Sequence, residues 1–155
     1  MTTLRVVADA SSLIALNDIQ LLDRLAPLFS EFLVPARVER EAARSVAFRD
    51  WMTQMPTLDH LDQRIVSDNL DPGESEALTI ALTLPGHYLL VDELRARRVA
   101  ARLGVPVIGA IGILIRAKHD GLIASVRDSI EALERSRFFL STELIETALR
   151  ASGEL

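Results

Sequence analysis

A chain of 155 residues with 49% hydrophobic side chains has the size of one domain and enough apolar surface for a sizeable core. The absence of cysteine excludes disulfides, thiolate metal sites and cysteine nucleophiles, and leaves oxygen or histidine to ligate any metal. A formal net charge of −5 excludes nucleic-acid binding through a general surplus of Lys and Arg, so any such contact must be local or metal-mediated.

The opening residues, Met1-Thr2-Thr3-Leu4-Arg5, lack the basic-then-apolar build of a signal peptide, and no apolar run is long enough to span a bilayer. A soluble, cytoplasmic protein is expected. The run Leu4–Ala8 predicts a first strand, closed by Asp9, and a helical pattern follows over Leu13–Phe29. A second strand is predicted at Phe32–Val34, then a helical pattern over Ala36–Met55, with Ser45–Asn69 the segment whose elements are least defined. Asp71-Pro72-Gly73 introduces a helix over Glu74–Leu84, and Pro85-Gly86 separates it from a strand at Tyr88–Val91, closed by Asp92. A helix at Leu94–Leu103 and a strand at Val105–Ile108 come next. Helices near Ile111–His119, Val126–Ser136 and Thr142–Ala151 complete the chain, with Ser141 or Thr142 as the cap of the last. Strands without polar alternation, each followed by a helix, predict a parallel sheet buried on both faces. The expected fold is α/β: one three-layer α/β/α domain over residues 1–155, with a central parallel sheet and added C-terminal helices.

Open parallel sheets bind ligands beyond the carboxyl ends of their strands. Asp9 and Asp92 both stand at such ends, where a buried carboxylate needs a metal, a cation or hydrogen-bond donors, the last including the helix starts that follow them. At 100° per residue Glu74 shares a face with Leu78, Ala81 and Leu82, whereas Glu76 turns with Thr79 and Thr83 toward water. The same test groups Glu41 with Val38 and Ala42, and sends Glu39 and Arg40 to the polar side. Asp9, Glu41, Glu74 and Asp92 are therefore the candidate catalytic acids. An all-oxygen set selects Mg²⁺ or Mn²⁺, with Asp9, Glu74 and Asp92 as metal ligands, and suits phosphodiester hydrolysis.

These segments resemble PIN domains, the nuclease fold that includes VapC-type toxins of toxin–antitoxin pairs. Asp9-Ala10-Ser11-Ser12-Leu13-Ile14 is similar to the opening D-x-S-x-L-I motif, and Val34-Pro35-Ala36-Arg37-Val38-Glu39-Arg40-Glu41 to the strand and helix that carry a second acid. Gly73-Glu74-Ser75-Glu76-Ala77 matches a G-E-x-E-A pattern. Leu89-Leu90-Val91-Asp92-Glu93 with Arg97-Arg98-Val99-Ala100, then Val107-Ile108-Gly109-Ala110-Ile111-Gly112, resemble the later acid, its basic helix and the closing turn. The resemblance implies a Mg²⁺- or Mn²⁺-dependent endoribonuclease with RNA as substrate, the toxin half of a type II toxin–antitoxin pair whose partner is a small antitoxin. It places the site on Asp9, Glu41, Glu74 and Asp92. Ala110 stands where the closing turn usually carries Thr, so that hydroxyl is missing. A catalytically silent module that binds a protein or nucleic acid is the alternative.

Arg95, Arg98 and Arg102 share one helix face at spacings of three and four, which suits either RNA phosphates beside the metal or a solvated basic face. Val46, Phe48, Trp51, Met52 and Met55 gather apolar and aromatic groups in one stretch, read as core packing or as the surface for a partner or a second copy. No role is assigned to His60, His87 or His119, and no phosphate-binding glycine loop or nucleophile elbow is present.

Overall fold

The computed structural model describes residues 2–155. Five parallel strands form one sheet: β1 (Leu4–Ala8), β2 (Phe29–Pro35), β3 (Thr53–Met55), β4 (Tyr88–Leu90) and β5 (Val107–Ile108), in the order β3-β2-β1-β4-β5. The helices are α1 (Ala10–Asp18), α2 (Leu22–Leu25), α3 (Ala36–Ala42), α4 (Pro72–Leu82), α5 (Leu94–Arg102), α6 (Ala110–His119), α7 (Val126–Arg135) and α8 (Thr142–Ala151). Successive side chains of a strand point to opposite faces. Leu4, Val6 and Ala8 of β1 accordingly enter a core shared with α1, α6, α7 and α8, while Val7 enters a second core with Leu78 of α4 and Val99 of α5. The architecture is the expected three-layer α/β/α arrangement.

Several borders differ from those the periodicity predicts. The long helical pattern from Leu13 is interrupted after α1, where Gln20 adopts a φ of 61°, and the chain reaches β2 through α2 and a short 3₁₀ turn containing Pro27. The strand expected at Phe32–Val34 begins at Phe29. The helix expected over Ala36–Met55 ends at Ala42, and Thr53–Met55 forms β3, an edge strand that the sequence does not announce. Thr53 and Gln54 are exposed, so this strand has no apolar run to betray it.

Capping fixes the remaining helices. Ser141 Oγ accepts from Leu144 N at 3.1 Å. Ser125 Oγ accepts from Asp128 N at 3.0 Å. The start of α7 is also held by Glu154, whose carboxylate accepts from Ser125 Oγ, Val126 N and Arg127 N and pairs with Lys118 Nζ at 3.0 Å. Burial would raise the pKa of Glu154, but these donors together pull it down to about 2. Among the described residues no helix is long and apolar enough to cross a membrane.

Candidate metal centre

From β1 the chain steps outward to β2 and β3, then returns to β4 on the other side of β1 and to β5 beyond. The order therefore reverses between β1 and β4, and the crevice at such a reversal is where doubly wound sheets bind ligands. Asp9 and Asp92 stand on either side of it. Asp9 follows β1 directly, its backbone N donating to Leu90 O at 3.0 Å, and its Oδ1 accepts from Ser12 N at 3.0 Å to cap α1. Asp92 Oδ2 accepts from Ser12 Oγ at 2.7 Å, and both its oxygens accept from Ala110 N, at 3.1 and 3.2 Å. Ser12, fully buried in the first turn of α1, thus ties the two acids together through its backbone and its hydroxyl.

Gly109 makes this arrangement possible. A Cβ there would collide with Asp92 Oδ1 and would lie 2.9 Å from Arg97 Nη1. Arg97 donates to Val91 O at 2.9 Å and presents its charge to Asp92. Burial raises the pKa of Asp92, and the donors Ser12 and Ala110 and the charge of Arg97 offset part of that rise. Asp9, only 1% exposed, is pushed up to about 7 by burial, against the pull of Ser12, with the charges of Asp92 and Glu74 adding to the rise.

Glu74 lies in the first turn of α4, 8% exposed, in a reciprocal cap: its backbone N donates to Asp71 Oδ1 at 2.7 Å, and its Oε1 accepts from Asp71 N at 3.2 Å. Burial, with the charges of Asp71 and Glu93, pushes it up to about 7. Glu41 is exposed rather than inward, because its carboxylate reaches across to the start of α4, where Oε1 accepts from Gly73 N at 3.0 Å. Burial of its head group and the charge of Asp71 raise its pKa. Asp9 and Asp92 are thus joined through Ser12, the charge of Glu74 acts on Asp9, and Glu41 is bound to Gly73, the residue before Glu74.

Glu76 is 0% exposed, contrary to its predicted outward face. It accepts from Arg37 N at 3.0 Å and Leu58 N at 3.2 Å and lies 3.6 Å from Arg37 Nη1. Helical periodicity sends polar residues to water only where one side is solvated, whereas α4 is buried all round from Gly73 to Ala81, with Leu58 and Asp62 of the preceding loop bonded to Glu76 and Thr79. The basic face of α5 divides. Arg102 is engaged by Asp68 at 2.8 Å and by Arg64 O, and Arg95 donates to Asn69 O at 3.3 Å. Among the described residues Arg98 has no side-chain partner. Strand ends and helix periodicity single out neither Ser12 nor Arg97, which stand in the sequence only as members of the segments around Asp9 and after Asp92. A second hydroxyl after Asp9, and an arginine flanking the buried stripe Ala96 and Ala100, were the signals available.

The donor set is chemically suited to a hard dication: oxygen atoms alone, desolvated, and relieved of mutual repulsion by positive charge. Among the described residues no group of three acidic or histidine side chains is disposed to hold an ion by itself. Mg²⁺ is ordinarily bound through one or two carboxylates and completes its shell with water and substrate oxygens, and the Asp9 and Asp92 pair supplies those.

An all-parallel α/β/α sheet with paired aspartates at its switch point defines a class of proteins whose ligand sits over the carboxyl ends of the central strands. A family model described as a PIN domain matches residues 5–154, and the chain belongs to that family. The fold is of nuclease type; PIN domains are generally nucleases and typically use divalent metals. No curated protein matches the chain.

Proposed function

We propose that this protein is a Mg²⁺- or Mn²⁺-dependent endoribonuclease and the toxin of a type II toxin–antitoxin pair. The observation that carries the reading is the pair of buried Asp9 and half-buried Asp92, bridged by Ser12 at the switch point, with the charge of Glu74 beside Asp9. Asp9 and Asp92 would hold the ion, with Glu74 as a ligand or an orienting group for water. When bound, the ion supplies charge neutralisation at the phosphate and a water acidic enough to attack at neutral pH. Ser12 and Ala110 N keep the Asp92 carboxylate in one orientation, so it need not reorganise when substrate arrives. Glu74 Oε2, left over from the cap with Asp71, is placed to take up a proton near neutral pH. Arg98 is an unengaged cation on α5 for an RNA phosphate, and Arg97 lies nearer the acids.

The test is single-turnover cleavage of structured and single-stranded RNAs by protein free of any partner, with Mg²⁺ or Mn²⁺. Asp9→Asn keeps the shape and removes the charge, so cleavage should fall by orders of magnitude, about 10³-fold or more, while the fold survives. EDTA should abolish cleavage reversibly. Equal cleavage by wild type and variant would identify a contaminating nuclease. No cleavage by metal-loaded wild type would favour the silent binding module, for which the missing hydroxyl at Ala110 is the structural argument.

The antitoxin is proposed to dock near Phe48, which is 42% exposed and lines a groove with Leu13, Val46 and Met52. Trp51 belongs mainly to the core: its ring packs edge-on against Phe32 at 5.1 Å, and its Nε1 donates to Asp23 Oδ1 at 3.1 Å. Phe48→Ala should therefore weaken association with a partner, measured by co-purification with the product of the neighbouring reading frame, without lowering the melting temperature. Unchanged association would remove Phe48 from the interface.

A further inference from the structure

We propose that the substrate strand leaves the acidic centre along a groove between the β5 edge, α6 and α8, and that Arg116 and His119 hold its phosphates at the far end; this rests on RNA being the substrate. Two adjoining cavities form the groove. One, of about 500 Å³, opens at Asp92 and Arg97 and is walled by Leu94 and Leu144. The other, of about 430 Å³, ends among Arg116, Lys118 and His119, with Ala151 and Ser152 as its wall. The two share Ile108, Gly112 and Ile115, so they are one channel rather than two pits.

Chain geometry gives the channel its direction. Helix α6 starts at Ala110, whose N binds Asp92, and ends at His119, about 13 Å away at 1.5 Å per residue. Helix α8 runs alongside in the same sense, Leu144 lining the upper cavity and Ala151 the lower. Gly112, Ile115, Arg116 and His119 recur at spacings of three and four and so share one face of α6. Gly112 keeps the floor low, because a Cβ there would meet Ile108 Cγ1 at 2.8 Å.

The occupant follows from the charge. Lys118 is paired with Glu154, but among the described residues Arg116 and His119 have no side-chain partner. A basic last turn complements a helix dipole in any protein. Here the Arg116 guanidinium and the His119 imidazole, two phosphate-binding donors, also terminate a channel whose other end is the Asp92 carboxylate and Arg97, in a chain of net charge −5. A single strand a few nucleotides long, its phosphates repelled elsewhere on the surface, fits that distribution.

The experiment measures binding of labelled single-stranded RNA by fluorescence anisotropy over a salt series, using Asp9→Asn protein so that the probe stays intact. Two probes are used, one of a few nucleotides and one three times longer. Adding Arg116→Glu and His119→Glu should weaken binding of the longer RNA about tenfold and flatten its salt dependence by about one counterion, with a smaller loss for the short one. Arg24→Glu with Arg135→Gln makes the same change in net charge, −3 with histidine neutral, away from the groove and should not reproduce the effect. The milder pair Arg116→Gln and His119→Gln serves if the reversals unfold the protein. If the parent binds long RNA and the reversed variant binds it as tightly, the groove is overturned and the nuclease reading stands. If neither the parent nor metal-loaded wild type binds RNA of any length, the nuclease reading fails and the groove with it.

Discussion

Ser12 has one hydroxyl proton and gives it to Asp92 Oδ2, while its backbone N serves Asp9. Groups that orient metal ligands in this way are ordinarily worth 10- to 100-fold in affinity or activity, and Ser12→Ala should cost about that much in Mn²⁺ affinity by titration calorimetry, with the fold retained. The acids themselves carry a pH signature. Asp9 rises from 3.8 to about 7 and Glu74 from 4.5 to about 7, so the folded chain keeps protons that the unfolded chain has released. A raised folded-state pKa stabilises fully below the unfolded value and loses that contribution as pH climbs through the folded value. In EDTA the melting temperature should therefore fall between about pH 5 and about pH 8, and added Mg²⁺ should raise it more at the higher pH, where the ligands are ionised. A metal-free melting temperature that rises over this window would contradict the burial of Asp9. Both aspartates were legible as residues, because each closes an apolar run. Ser12 was not, since one serine after Asp9 looks like the next until the turn of α1 buries one and exposes the other.

Helix α4 shows what periodicity can and cannot resolve. Its inward acid, Glu74, was legible from the apolar stripe it shares with Leu78 and Ala81. The burial of Glu76 was not, because the rule that a polar face meets water fails when a loop covers that face. The covering loop is the least legible segment of the chain: its apolar anchors, Leu58, Ile65 and Leu70, follow no regular period, and hydrogen bonds from Leu58 N to Glu76 and from Asp62 N to Thr79 Oγ1, at 3.2 and 3.1 Å, hold it over α4. Glu76→Ala would leave the amides of Arg37 and Leu58 without their acceptor. It should cost about 2–4 kcal/mol in urea unfolding, whereas Glu76→Gln, which keeps an accepting oxygen, should cost less. Equal losses for both would mean that the charge, paired with Arg37, matters more than the acceptors. Strand β3 escaped notice for a related reason, being three residues long with two exposed.

At the scale of the whole molecule the parallel sheet and its layers were legible from strand alternating with helix, because connections of that length permit little else. What no local pattern reveals is how far apart in the chain the two halves of the centre lie. Ser12 and Asp92 are 80 residues apart, and Asp92 takes its last donor from Ala110. At about 5–20 residues per second a ribosome needs roughly 4–16 seconds to make the intervening chain, and longer before Ala110 clears the exit tunnel. Throughout that interval the nascent chain carries Asp9 without its opposite acid. An enzyme that cuts RNA would thus be harmless to the message and the ribosome that are making it, its activity withheld by topology until Ala110 has emerged.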